Sequence, residues 1–203
     1  MSHSIQVDFL RYNRSVALES HAALESSLVI LLGSLLKTTH DIAATVFFEI
    51  TSVRPRNTII QNLLQQRYGK KYDAYWYGKA PEPNKKKHAG LFSHIAALDE
   101  SRNQIVHWHP VGMKDAHGND DMELRPAYYW TRKPGAAPLT VNHLALFTLK
   151  AQFVAQSVQM FWRFTTKPHS FSQGEMQIWT EIFQQPAPYP PSSSHPLSPS
   201  EAP

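Results

Sequence analysis

The chain has 203 residues, of which 42% are hydrophobic and 18% are charged, so it can bury a core and is not disordered throughout. It contains no cysteine, which excludes disulfide bonds, a thiol nucleophile, iron–sulfur clusters and every cysteine-based zinc site. The formal net charge is +4, and residues 67–87 contain seven Lys and Arg side chains against two acidic ones. Such a localised basic segment indicates a polyanionic partner.

The first half of the chain repeats apolar residues at intervals of three and four, which is typical of amphipathic helices. This pattern predicts a helix over residues 20–36. A second helix is predicted over residues 41–51, with Asp41 as its N-cap. Its predicted inward residues are Ile42, Val46, Phe47 and Ile50. Pro55 suits the first turn of a third helix, which should end at Gly69.

The middle of the chain is richer in turn signals. Residues 72–83 are aromatic and bounded by proline, and we expect a loop there. A fourth helix should begin near Asn84 and end before Pro110, which cannot continue it. Residues 111–132 contain the turn signal Gly118-Asn119 and predict a β-hairpin or a long loop.

The last third of the chain completes a helical fold. A long amphipathic helix is predicted over residues 140–164 and a short one over residues 172–185. The Pro- and Ser-rich tail, residues 186–203, should be disordered. We therefore predict an all-α helical bundle that forms one domain over residues 1–185, with a hairpin inserted at residues 110–133.

No segment has the pattern of a targeting signal or of a membrane span. Residues 1–14 carry charged side chains and lack the apolar core of a signal peptide. The longest apolar run, residues 28–36, is interrupted by Gly33 and Ser34 and has about half the length of a membrane span. We therefore expect a soluble cytoplasmic protein that does not associate with membranes.

The end of the fourth helix is the most informative stretch, because Arg102 is followed there by Asn103 and then by His107. A guanidinium binds phosphate oxygens through a planar fork, and an imidazole exchanges a proton near neutral pH. RNA supplies its own nucleophile, the 2′-hydroxyl, so an acid, a base and a cation suffice without a metal or another cofactor. These residue types therefore predict chemistry on an RNA phosphodiester.

Helical geometry limits how these side chains can meet. Five residues turn through roughly 500°, which leaves Arg102 and His107 about 140° apart. Asn103 and His107 share one face, and a hydrogen bond between them would orient the imidazole. Convergence of Arg102 with His107 requires either a distorted helix end before Pro110 or a second copy of the helix, as in a two-fold dimer.

An Arg-Asn pair with a histidine five residues after the arginine, at the end of a helix that follows three shorter ones, resembles the HEPN (higher eukaryotes and prokaryotes nucleotide-binding) superfamily. The resemblance implies a helical bundle that dimerises through the motif helices. It also implies, as in many members, a metal-independent endoribonuclease of toxin–antitoxin or phage-defence systems, with an antitoxin or a nucleotidyltransferase as partner. Arg102 would contact the scissile phosphate, His107 would transfer protons, and Asn103 would orient or contact the substrate.

The basic segment interleaves its cations with aromatic rings. Aromatic faces stack on unpaired bases while cations bind the backbone, a pattern typical of surfaces for single-stranded RNA. The candidate RNA-binding residues are Lys70, Lys71, Tyr72, Trp76, Lys85, Lys86 and Lys87. The alternative is a solvated loop whose aromatic side chains pack on the bundle.

Three other interpretations of the motif stay open. Arg102 and His107 can be ordinary polar residues near a helix C-terminus, where the macrodipole favours cations by ~0.3–1 kcal/mol. His107 and His109 can bind a metal in an extended segment and serve a metal-dependent hydrolase. Further ligands could then come from Asp115, His117, Asp120 or Asp121. The chain can also be a non-catalytic helical module that binds RNA, a nucleotide or a partner protein.

Overall fold

A computed structural model describes residues 3–79, 88–114, 120–126 and 137–198 of the chain. Within these ranges the helices are α1 (His3–Leu36), α2 (His40–Glu49), α3 (Val53–Tyr68), α4 (Asp73–Tyr77), α5 (Leu91–His107), α6 (Val141–Thr166) and α7 (Gln173–Phe183). The strands are β1 (Gly78–Lys79), β2 (His88–Ala89), β3 (His109–Lys114) and β4 (Asp120–Arg125). A short 3-10 helix, Pro168–Ser170, joins α6 to α7.

The predicted fold class, a helical bundle with an inserted hairpin, is confirmed. Strands β3 and β4 pair in antiparallel register, with His109 opposite Arg125. The hairpin therefore begins two residues before the predicted position. Its predicted turn, Gly118-Asn119, lies outside the described residues. On the edge of β4 that faces away from β3, the backbone of Leu124 exchanges two hydrogen bonds with that of Leu139.

Helix α1 begins at His3, well before residue 20, where its start was predicted. Its buried positions recur at every seventh residue: Leu10, Ala17, Leu24 and Leu31. This spacing corresponds to about two helical turns, and residues 3–32 contain no Gly or Pro that would interrupt it. The predicted start was wrong because the charged residues Arg11 and Arg14, between Leu10 and Ala17, obscured the repeat.

Helix α2 also differs from its prediction. Thr39, rather than Asp41, is the N-cap, and its side chain accepts a hydrogen bond from the N–H of Ile42. Phe47 is buried as predicted, but Ile42 and Val46 are 55% and 38% exposed. Their predicted inward position is wrong, because the buried residues of this short helix are Ala43 and Phe47, which lie on one narrow face.

Helix α5 begins at Leu91 rather than near Asn84, which lies outside the described residues. Strand β2, which pairs with β1, occupies the positions just before the helix. Gly90 connects this strand to the helix, and a Cβ atom on it would lie 2.2 Å from the backbone nitrogen of Gly78. Only glycine fits such a close approach of two backbones. The helix ends at His107, as predicted.

The predictions for α3, α6 and α7 are confirmed to within a few residues. Helix α3 ends at Gly69, whose positive φ of 59° suits glycine. Helix α6 covers the predicted residues 140–164 almost completely. Helix α7 starts with a capping box, in which Ser172 accepts from the N–H of Glu175 and the Glu175 carboxylate accepts from the N–H of Ser172.

The chain divides into two compact units, one comprising Met1–Ala23 with Leu98–Gln152 and the other Leu24–Ala97 with Phe153–Pro203. The predicted single domain over residues 1–185 stays a prediction. An aromatic cluster in the second unit surrounds Phe161. Ring centroids lie between 5.0 and 6.2 Å from that of Phe161 for Tyr72, Tyr75, Trp76 and Phe183.

Residues 186–198 form neither helix nor strand, which follows from their Pro- and Ser-rich composition. Contacts within the second unit nevertheless anchor this segment. Ala187 is buried, and its carbonyl oxygen lies 3.2 Å from Nε2 of His94. The rings of Tyr189 and His195 lie 5.7 and 5.5 Å from that of Phe153. The sequence did not predict these contacts.

Among the described helices, α1 alone is long and apolar enough, by length and composition, to cross a membrane. However, 56% of its most apolar window is buried inside the protein. It also carries charged side chains along its length, among them Asp8, Arg11, Arg14 and Glu19. These properties are consistent with a core helix of a soluble protein.

Replacement of Phe161 by alanine should lower the free energy of unfolding by about 3–5 kcal/mol, because it removes the centre of the aromatic cluster and leaves a cavity. Urea denaturation followed by circular dichroism measures this change. Ile178→Ala is the control, since Ile178 is 48% exposed and its loss should change stability by about 0.5 kcal/mol or less. Equal denaturation midpoints for the two variants would contradict the assigned core.

Candidate functional site

Arg102, Asn103 and His107 all lie in the last turns of α5, within the first compact unit. Asn103 and His107 are exposed and Arg102 is half-buried. The helix stays regular to its end, because the N–H of Trp108 donates to the carbonyl of Gln104 over 2.9 Å. A regular helix leaves Arg102 and His107 about 140° apart. The distorted helix end that would bring them together is therefore not what the structure shows.

The side chain of Asn103 contacts Arg102. Nη1 of Arg102 donates to Oδ1 of Asn103 over 3.4 Å, which is long for a hydrogen bond. These two side chains thus form a polar pair on the accessible surface of α5. A planar guanidinium with an amide beside it is suited to bind an anion such as a phosphate group. The predicted hydrogen bond between Asn103 and His107 stays a prediction.

A second arginine, which the sequence did not indicate, reaches the same end of α5. Arg14 of α1 is half-buried, and its Nη2 donates to the carbonyl oxygen of Val106 over 2.7 Å. In a continuing helix this carbonyl would accept from the N–H of residue 110, but Pro110 has none. Arg14 therefore supplies the missing donor, and its cation lies at the peptide group that joins Val106 to His107.

A buried His–Asp pair lies on the inner side of the site. Nε2 of His21 lies 2.9 Å from Oδ1 of Asp99, and the two side chains are only 5% and 13% exposed. The His21 ring also stacks on Phe147, at a centroid distance of 6.3 Å. Asp99 lies one helical turn before Asn103, and its Oδ2 is buried without a partner among the described residues. The pair joins α1 to the part of α5 that carries the motif.

The structure overturns part of the predicted RNA-binding segment. Tyr72 and Trp76 are 6% and 1% exposed and pack on Phe161, so their faces are not available for base stacking. Lys70 and Lys71 are exposed, and Nζ of Lys71 lies 5.1 Å from the centroid of the Tyr72 ring. The remaining candidates, Lys85, Lys86 and Lys87, lie outside the described residues. Tyr72 and Trp76 therefore belong to the core.

The H-x-H pair spans the junction between two elements, because His107 ends α5 and His109 begins β3. Both side chains are exposed. Within the described ranges, no three His, Asp or Glu side chains form a group that could hold a metal ion. Asp121 is engaged locally, since its Oδ1 accepts from the N–H of Met122 over 2.7 Å. Two further candidate ligands, Asp115 and His117, lie outside those ranges, as does the side chain of Asp120.

Comparison with known proteins does not assign this chain to a family. No protein-family model matches it, and neither the curated proteins nor the solved structures include a match. The chemistry of the described residues therefore carries the functional conclusion, together with the resemblance of the motif to HEPN proteins.

Removal of the Asp99 carboxylate should destabilise the first unit, because it removes the hydrogen bond between Asp99 and the buried His21 imidazole. The free energy of unfolding of Asp99→Ala should fall by about 1–3 kcal/mol. Denaturant titration measures the change. Glu100→Ala is the matched control, since the neighbouring Glu100 side chain is exposed. Equal losses in the two variants would show that the His–Asp pair does not stabilise the site.

Proposed function

We propose that the chain is a metal-independent endoribonuclease of HEPN type that acts as a homodimer. The observation that carries this proposal is the placement of Arg102, Asn103 and His107 on accessible last turns of one regular helix. This set combines a permanent cation, an amide and an imidazole, the side-chain group that most often serves as a general acid or base. The resemblance of the same residues to the HEPN motif supports the choice of RNA as substrate.

The proposed reaction is an internal transesterification. His107 accepts the proton of the 2′-hydroxyl, and the 2′-oxygen forms a bond to the adjacent phosphorus. The bond from phosphorus to the 5′-oxygen of the next nucleotide breaks, and the imidazolium returns the proton to that oxygen. Arg102 binds the phosphate oxygens and stabilises the charge that develops on them. The products are a 2′,3′-cyclic phosphate and a 5′-hydroxyl.

Dimerisation belongs to the proposal because one subunit does not bring its own Arg102 and His107 together. In a two-fold dimer that pairs the α5 helices, Arg102 of one subunit lies opposite the partner subunit's His107. The exposed Lys70 and Lys71 are proposed to bind the RNA backbone. A cytoplasmic toxin–antitoxin or phage-defence role, with an antitoxin or nucleotidyltransferase partner, rests on the family resemblance alone.

The divergence of Arg102 and His107 also favours a second candidate function. A non-catalytic helical module would need the cations for binding but would not need them to converge on one phosphate. Such a module would bind RNA, a nucleotide or a partner protein through the same end of α5. Cleavage assays separate the two functions, because only the ribonuclease forms products.

Wild-type protein should cleave a labelled structured RNA in excess EDTA and leave 2′,3′-cyclic phosphate ends. Arg102→Ala and His107→Ala should each lower the cleavage rate by at least ~100-fold, because each removes a group that acts in the transition state. Gel electrophoresis with end-group analysis measures both effects. Melting temperatures close to that of the wild type should accompany the loss.

His109→Ala is the matched control, because His109 is an exposed histidine two residues beyond the motif. It should cleave at the wild-type rate. Loss of cleavage in His109→Ala together with inhibition by EDTA would indicate the metal-dependent hydrolase instead. Absence of cleavage by the folded wild-type protein on several RNAs would indicate the binding module.

Mixing of two inactive variants tests whether the site combines residues of two subunits. A heterodimer of Arg102→Ala and His107→Ala retains one complete site, in which the arginine and the histidine come from different chains. After subunit exchange, an equimolar mixture should recover about a quarter of the wild-type rate, since about half of the dimers are mixed and one of their two sites is intact. No recovery despite demonstrated exchange would contradict a shared site.

A further inference from the structure

Arg14 places a cation close to His107 of the same subunit, where the motif itself places none. In the proposed reaction His107 deprotonates the 2′-hydroxyl, and the adjacent phosphate needs a cation nearby, yet Arg102 of the same subunit points about 140° away. Arg14 donates to the Val106 carbonyl over 2.7 Å, so its guanidinium lies one peptide group from His107. Both residues belong to the first compact unit.

The electrostatics of the helix end favour this role. The last carbonyls of a helix carry partial negative charge, which repels a phosphate that approaches His107. Arg14 offsets this charge at the Val106 carbonyl. A guanidinium has several N–H donors, and the bond to Val106 uses only one nitrogen atom. The half-buried side chain therefore keeps N–H groups that can donate hydrogen bonds to a phosphate oxygen.

We propose that Arg14 binds a backbone phosphate of the RNA beside His107 of its own subunit, as a positioning cation that complements Arg102. This inference rests on the proposed ribonuclease function for its substrate. It assigns the two arginines to different sides of the site. Arg14 acts with His107 of the same chain, whereas Arg102 acts with the partner subunit's His107.

The salt dependence of RNA binding tests the proposal. The probe is a fluorescent single-stranded RNA with 2′-O-methyl groups, which cannot be cleaved because the nucleophile is blocked. Arg14→Gln keeps an N–H donor for Val106 but removes the charge, so it should weaken binding several-fold at low salt. The slope of log affinity against log salt should become shallower by about 0.7, the value for one phosphate contact to a single strand. Arg14→Lys should retain the slope.

Arg11→Gln is the matched control, because Arg11 lies on the same helix, is 69% exposed and pairs with Asp8 at 3.9 Å. Its slope should equal that of the wild type. A wild-type slope in Arg14→Gln would overturn the proposal, as would an equal change in Arg11→Gln. Arg14→Met, which keeps the packing of the aliphatic stem, serves if Arg14→Gln does not fold, and unfolding of both variants would assign Arg14 to stability alone.

Parallel cleavage assays keep this inference separable from the proposed function. If the wild type cleaves RNA and Arg14→Gln cleaves and binds equally well, the ribonuclease stands and the role of Arg14 is refuted. If the wild type does not cleave but Arg14→Gln changes the salt slope, the ribonuclease is refuted and Arg14 contacts phosphate in a binding module.

Discussion

The end of α5 at His107 is the constraint on which the candidate site depends. Proline at position 110 has no N–H and disfavours helical backbone before it, so the chain leaves the helix and enters β3 at His109. Because α5 is regular up to that point, Arg102 and His107 point in different directions. The missing N–H also leaves the Val106 carbonyl to Arg14. The regularity of α5 thus causes the divergence within the motif, and Pro110 explains the arrival of a second arginine.

Burial of the aromatic residues changes how the basic segment is interpreted. Tyr72 and Trp76 alternate with lysines in the sequence, as they would on a surface that binds single-stranded RNA. In the structure α4 turns these rings toward Phe161, where each finds an aromatic partner within about 5 Å. Lys70 and Lys71 stay exposed, because burial of a charged amine without a partner is unfavourable. Composition alone does not distinguish these arrangements, since aromatic rings suit a core and a base equally well.

The sequence predicted features that depend on local chemistry and missed those that depend on distant contacts. Gly69 and Ser172 mark helix ends through their own backbone and side chain, so the end of α3 and the start of α7 were predicted correctly. The motif on α5 was recognised from the types and spacing of its residues. The contacts of Arg14 with Val106 and of His21 with Asp99 join positions 92 and 78 residues apart, respectively. No local pattern encodes such pairs.

A helix C-terminus stabilises nearby cations whether or not they have a function, so His107 and Arg14 both have a structural reason for their positions. Arg102 differs from them. It lies more than a turn before the end of α5, where the macrodipole has weakened, and within the described chain its side chain makes one long hydrogen bond, to Asn103. Neither helix capping nor a buried ion pair explains a half-buried arginine there. The proposed ribonuclease therefore depends most on Arg102, because the helix end gives His107 and Arg14 a structural reason for their positions and gives Arg102 none.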